Sequence, residues 1–98
     1  MTYAILAMLE ARPGMEMEVQ RMLSEIRALV ESEPKTRTWY AFKLGPTRFG
    51  IFDTFDDEEG RAAHLTGAVA QKIFSRSKEF FAGPPEIEIS DVLAFHHK

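Results

Sequence analysis

The sequence predicts an α+β domain: one four-stranded antiparallel sheet with helices on one of its faces. Three observations carry this. Apolar, aromatic-rich runs of strand length stand at both ends and in the middle of the chain. A long stretch with apolar residues every three or four positions separates the first run from the next, as on one face of a helix. Proline- and glycine-containing breaks fall between the runs, where chain reversals are needed.

The first run, Thr2 to Ala11 (TYAILAMLEA), reads as a strand that ends at Arg12-Pro13-Gly14. From Met15, the positions Met15, Val19, Met22, Leu23, Ile26, Leu29 and Val30 form one apolar helix face. Glu16 and Glu18 suit the positive N-terminal end of that helix. Pro34 closes it, because the residue before a proline is pushed out of helical geometry. Lys35 to Lys43 and Arg48 to Phe55 are rich in Thr and aromatics, and Leu44-Gly45-Pro46-Thr47 supplies a turn, so they predict a hairpin. Asp56 or Asp57 caps a short helix ending near Thr66-Gly67. A second short helix turns Val69, Ile73, Phe74, Phe80 and Phe81 inward and stops at Gly83-Pro84-Pro85. Glu86 to Phe95 (EIEISDVLAF) reads as the last strand. The order β-α-β-β-α-α-β is the split βαβ arrangement of ferredoxin-like domains.

At 98 residues this is one domain, residues 1–98. With 45% apolar residues it has ample material for a core. The net charge is −3 and the basic residues are scattered, so no basic stripe offers itself to nucleic acid. The absence of cysteine removes disulfides, thiolate metal sites and a cysteine nucleophile, and fits a cytoplasmic protein. Neither a signal peptide nor a membrane span is expected.

The strands place apolar residues on both faces. In the first, Tyr3, Ile5, Ala7 and Leu9 alternate with Ala4, Leu6 and Met8; in the third, Phe52 faces away from Phe49, Ile51 and Phe55. A sheet with water on one side alternates more cleanly. The simplest cover for the second face is another copy of the chain, giving a homodimer packed sheet against sheet.

Chemistry is hinted at in one segment, Arg48 to Leu65. Asp53 stands among Phe49, Ile51, Phe52 and Phe55, where a lone charge is costly unless paired or exposed. His64, on the following helix, titrates near neutrality. These two are the candidate catalytic residues. If the turn pairs Lys43 with Arg48, Thr38 stands opposite Asp53 and donates to its carboxylate, while Trp39 faces the other way. The Asp53 face then carries Thr38, Tyr40, Phe42, Ile51 and Phe55, which with Phe74 form the candidate substrate-binding set. His96 and His97 lack a third ligand at a recognisable spacing and read as tail residues, so no metal site is expected.

Ala11-Arg12-Pro13-Gly14 after the first strand, Glu33-Pro34 after the long helix, and Phe52-Asp53-Thr54-Phe55-Asp56-Asp57-Glu58 before Ala63-His64-Leu65 together resemble the antibiotic biosynthesis monooxygenase (ABM) superfamily. The resemblance implies a dimeric α+β barrel built from ferredoxin-like protomers. It also implies oxidation of a small quinol- or anthrone-like aromatic without a cofactor, the substrate anion itself reacting with oxygen. The chain departs from the family where a tryptophan is common two residues after the acid, since Phe55 stands there. It contains no asparagine, and the haem-ligand histidine of the haem-degrading branch falls close to Phe74. Oxidation would therefore rest on Asp53 or His64 as base. The alternative expectation is a non-catalytic ligand-binding or stress-associated dimer of the same fold.

Overall fold

The computed structural model describes residues 2–98. The chain runs β1 (Tyr3–Glu10), α1 (Glu16–Val30), β2 (Thr36–Lys43), β3 (Arg48–Phe55), α2 (Glu58–Leu65), α3 (Ala68–Ser75), α4 (Ser77–Phe80) and β4 (Glu86–Asp91). All neighbouring strands are antiparallel, in the order β2-β3-β1-β4. This is the expected ferredoxin-like α+β fold. The two central strands, β3 and β1, have a neighbour on each side and helices over one face, so they hold the most buried side chains.

The inner face of the sheet brings Phe49 and Ile51 of β3 opposite Leu9 and Ala7 of β1. Val19, Met22, Leu23 and Ile26 of α1 close over them, with Val69 and Ile73 of α3. Burying a side chain of this size contributes roughly 1.5–3 kcal/mol, so this layer dominates the stability. The α1 stripe is thus the predicted one, although the helix itself ends at Val30, before Pro34.

Asp57 caps α2, its carboxylate accepting the Gly60 amide at 2.7 Å. Arg61, one turn on, ties that helix to the sheet: its guanidinium donates to the Ser90 carbonyl at 2.9 Å and stacks over the Tyr3 ring. The expected second short helix is broken at Arg76 into α3 and α4. Phe81 then leaves the helix and bridges Ala11, in the core, whereas Phe74 is 49% exposed. β4 stops at Asp91, and Val92 to Phe95 are not strand. From Val92, whose amide donates to the Thr2 carbonyl, the tail lies against the outer face beside Thr38, Tyr40, Phe52 and Thr54.

The hairpin register corrects the sequence expectation. Leu44, not Lys43, closes the turn, donating its amide to the Arg48 carbonyl at 2.9 Å. Lys43 therefore pairs with Phe49, Ala41 with Ile51, Trp39 with Asp53 and Thr38 with Thr54, with an irregularity between Thr36 and Thr38. A one-residue slip moves a whole strand to the opposite face. Trp39 is on the inner face, packed against the core, and Thr38, Tyr40 and Phe42 are on the outer one. The outer face accommodates Phe42 because Gly50 is its partner: a Cβ there would come within 2.4 Å of the Phe42 ring.

Candidate functional site

β3 delivers Asp53 to the inner face between Ile5 of β1 and Trp39 of β2. Only 1% of Asp53 is exposed. α2 runs back over this part of the sheet, and its last turn lowers His64 onto the carboxylate. His64 Nε2 lies 2.8 Å from Asp53 Oδ2, and the Phe55 ring packs against the imidazole at a centroid distance of 5.2 Å. The other ring nitrogen, Nδ1, lies 2.6 Å from Glu33 Oε1. That same oxygen accepts the Thr36 hydroxyl at 2.9 Å. Glu33, His64 and Asp53 thus form a straight relay from the α1–β2 loop into the core.

The loop can come this close because two glycines make room for it. A Cβ on Gly67 would meet Glu33 Oε2 at 3.1 Å, and one on Gly60 would meet the Lys35 Cβ at 3.0 Å. Both glycines flank the histidine, one within α2 and one just beyond it. Small residues here are therefore a condition for the Glu33 contact.

Electrostatics follow from the burial. Removal from water pushes the Asp53 carboxyl above its ordinary value, against the opposing pull of the His64 hydrogen bond and charge. His64 is raised too: burial works against its charge, but the hydrogen bonds and charges of Asp53 and Glu33 outweigh it. A raised acid next to a raised histidine describes a pair sharing a proton tightly held within the group.

Asp53 Oδ1 is buried and has no hydrogen-bond partner among the described residues. Asp53 and His64 also line a cavity of about 40 Å³, otherwise walled by apolar side chains that include Ile5, Ile51, Val69 and Ile73. Phe74, Pro85 and Ile87 line its exposed side. A carboxylate oxygen with free lone pairs, in an apolar pocket and backed by an imidazole, can accept a proton from a ligand. Among the described residues no cluster of three or more His, Asp or Glu is arranged to hold a metal ion. Here the two carboxylates occupy opposite nitrogens of one ring.

Of the predicted site residues, Asp53, His64, Ile51 and Phe74 meet at this cavity. Phe55 is adjacent, behind the imidazole. Thr38, Tyr40 and Phe42 are not part of it, because the register places them on the outer face. Thr38 contacts the Thr54 hydroxyl at 2.6 Å rather than Asp53. The residue that sequence reasoning missed is Glu33. Its contact with His64 spans 31 positions, and a Glu before a proline at a helix end signals only a terminus.

Solved structures place this fold among known proteins. A Nitrosomonas europaea protein of unknown function superposes with a TM-score of 0.95 at 37% identity, over 99% of this chain and 94% of that one. An antibiotic biosynthesis monooxygenase superposes with a TM-score of 0.79 at 13% identity, over 94% of this chain and 99% of that one. A second Nitrosomonas europaea protein assigned to that class gives 0.83 at 16% identity, over 94% and 99% of the two chains. The chain belongs to the family of the first protein and has the ABM fold. The ABM likeness is one of backbone architecture, since few residues are shared at these identities. No protein-family profile matches the sequence, and a search of curated proteins gives no significant match. The chemistry of this ABM-fold chain therefore has to be argued from its own Glu33–His64–Asp53 relay.

Proposed function

We propose that the protein is a cofactor-independent monooxygenase of the ABM type, acting on a small quinol- or anthrone-like aromatic. The observation that carries this reading is Asp53 Oδ1, an unpartnered carboxylate oxygen in an apolar cavity with His64 on its other oxygen. Asp53, supported by His64, takes a proton from the activated carbon of the substrate. The resulting anion gives an electron pair to dioxygen, in single-electron steps, and forms a carbon–oxygen bond. Protonation yields a hydroperoxide; loss of the second hydrogen as the oxygen–oxygen bond breaks then gives a ketone and water. One methylene and one dioxygen thus become one carbonyl and one water. The apolar walls disfavour ions, so the base is strongest where the substrate sits.

The resting cavity is smaller than an aromatic ligand. Phe74, half exposed at its edge, is the side chain that has to swing aside for entry. Two copies packing through their outer faces complete the assembly in this reading. That face is lined by Leu6, Met8, Phe52 and the exposed Tyr40 ring, and the tail beside it carries Leu93, 98% exposed, and Phe95. An apolar surface of this kind favours a protein partner over water.

Oxygen uptake with a panel of anthrones and quinols tests the activity. Wild-type protein should consume oxygen, and Asp53→Asn and His64→Ala should lose at least about a hundredfold in rate, the usual contribution of a general base. Uptake unchanged in both variants would remove the base role. A haem or flavin absorption band in the active protein would remove the cofactor-independent mechanism. Binding of an aromatic with no uptake by any substrate would favour the second reading, a non-catalytic binding protein.

A further inference from the structure

We propose that Glu33 is the positioning residue of this site: it holds the His64 imidazole from the solvent side and sets a negative charge behind the cavity wall, so that the cavity admits neutral ligands and turns anions away. The proposal rests on the cavity beside Asp53 being the ligand site, as in the function proposed above, but not on any reaction with oxygen.

Two carboxylates and one imidazole stand in a row, at 2.6 Å and 2.8 Å. With the imidazole keeping its one N–H, a single further proton among the three leaves a net charge of minus one whether it sits on the ring or on Asp53. Without Glu33 the same proton would leave the group neutral. Among the described residues, no cation other than His64 pairs with either carboxylate. Apart from His64, the residues lining the cavity include no cation. On the elements packed around the histidine, Arg61 of α2 is turned to Glu58, Asp91 and the Ser90 carbonyl. Lys35 of the loop pairs with Glu59 of α2, and Lys72 of α3 with Glu25 of α1. Only Asp53 and Glu33 face the ring.

Position tells the same story. His64 is shared by two openings: the apolar cavity, and a surface groove lined by Ser32, Glu33, Lys35, Thr36 and Gly67. Its Nε2 serves the first and its Nδ1 the second. The Glu33 side chain is 16% exposed, so it touches the groove while remaining low in solvent. Thr36 and the gap left at Gly67 hold it there. Glu33 therefore does not contact a ligand in the cavity; it acts through the ring. Its charge and hydrogen bond are among the influences that raise His64.

The test uses the full chain and two probes of similar size, neutral para-nitrophenol and the anion para-nitrobenzoate, at a slightly acidic pH where the phenol is un-ionised. Their binding is measured by titration calorimetry, and His64 is titrated by NMR of its ring nitrogens. Wild type should bind the phenol and exclude the benzoate. Glu33→Gln, which keeps the shape and the oxygen acceptor but not the charge, should lower the pH at which His64 titrates. It should also improve benzoate binding about tenfold, the effect of one charge roughly 10 Å away in a partly screened interior. Binding of the phenol should change by less than about threefold, since a neutral ligand has no net Coulomb term with Glu33.

Unchanged His64 titration in a folded Glu33→Gln protein would overturn the proposal, because a merely structural Glu33 would alter stability and leave the titration in place. Equal binding of both probes by wild type would overturn it as well, and needs no variant. If Glu33→Gln fails to fold, Glu33→Asp, which keeps the charge but withdraws it from the ring, decides by the same His64 titration: a lowered value supports the proposal and an unchanged one overturns it. Charge selection without oxygen uptake would defeat the monooxygenase reading and leave this one standing. Oxygen uptake that depends on Asp53 but is indifferent to Glu33, with no charge selection, would do the reverse.

Discussion

The two faces of the sheet are made from the same strands and differ in almost everything else. On the inner face, Phe49, Ile51, Asp53 and Phe55 of β3 are all buried under helices, and the single acid among them is paired. On the outer face, Gly50, Phe52 and Thr54 of the same strand meet Phe42, Tyr40 and Thr38, with a hydroxyl pair in place of an ion pair. The inner face can hold a charge because α2 brings a partner to it. The outer face has no helix: its centre uses neutral groups, and its charges, Glu10, Arg48, Glu86 and Glu88, are exposed. A charge buried in this sheet is thus held where a second element supplies the countercharge, whereas its other charges stay in water.

The largest test of that comparison removes the countercharge. His64→Ala leaves Asp53 buried without its partner and should cost about 3–5 kcal/mol in urea unfolding, the range for breaking a buried pair. A loss under about 1 kcal/mol would mean that the pair contributes little. The next effect is one of pH. His64 binds its proton more tightly folded than unfolded, so its contribution is fully present below its unfolded value of 6.5 and is lost as pH rises through the higher folded value. The Asp53 shift has the same sign, since its carboxyl is also raised. Unfolding free energy measured from slightly acidic to alkaline pH should therefore fall, and Asp53→Asn, which removes one raised group and weakens the other's shift, should flatten the slope.

Smaller effects come from the fit of the loop and from the outer face. Gly67→Ala should push the Glu33 carboxylate back by a few tenths of an ångström and cost about 1 kcal/mol, with a lowered His64 titration in the NMR spectrum. Thr38→Val removes the hydroxyl pair with Thr54 and should cost about 1 kcal/mol, the usual net worth of a hydrogen bond. Tyr40→Ser should change protomer stability by less than about 0.5 kcal/mol, measured where the protein is monomeric. It should at the same time weaken self-association through that face, as read by sedimentation equilibrium.

Much of this was legible in the chain and some was not. The α1 stripe, the Asp57 cap and the strand pattern are local, and local periodicity reports them directly. Asp53 and His64 were legible as candidates because an acid in an apolar run needs a partner. The register of the hairpin was not legible. It turned on whether Lys43 or Leu44 closes the turn, and Leu44-Gly45-Pro46-Thr47 is compatible with both. That one residue moved Thr38, Tyr40 and Phe42 away from the site and Trp39 to the Asp53 side. The end of β4 was also misread, since Val92 to Phe95 are apolar enough for a strand but leave the sheet to cross its outer face.

By itself, then, the sequence determined the order of elements, the residues of the core and the acid and histidine that stand out from it. These follow from spacing along the chain, where hydrophobic period and turn chemistry act over a few residues. The tertiary structure alone decided which face each strand residue takes, and which distant groups meet. Glu33 belongs to the site only because α2 folds back over β3 and two glycines let a loop approach the histidine between them. Contacts of that kind depend on packing between elements far apart in the chain, and no local pattern encodes them.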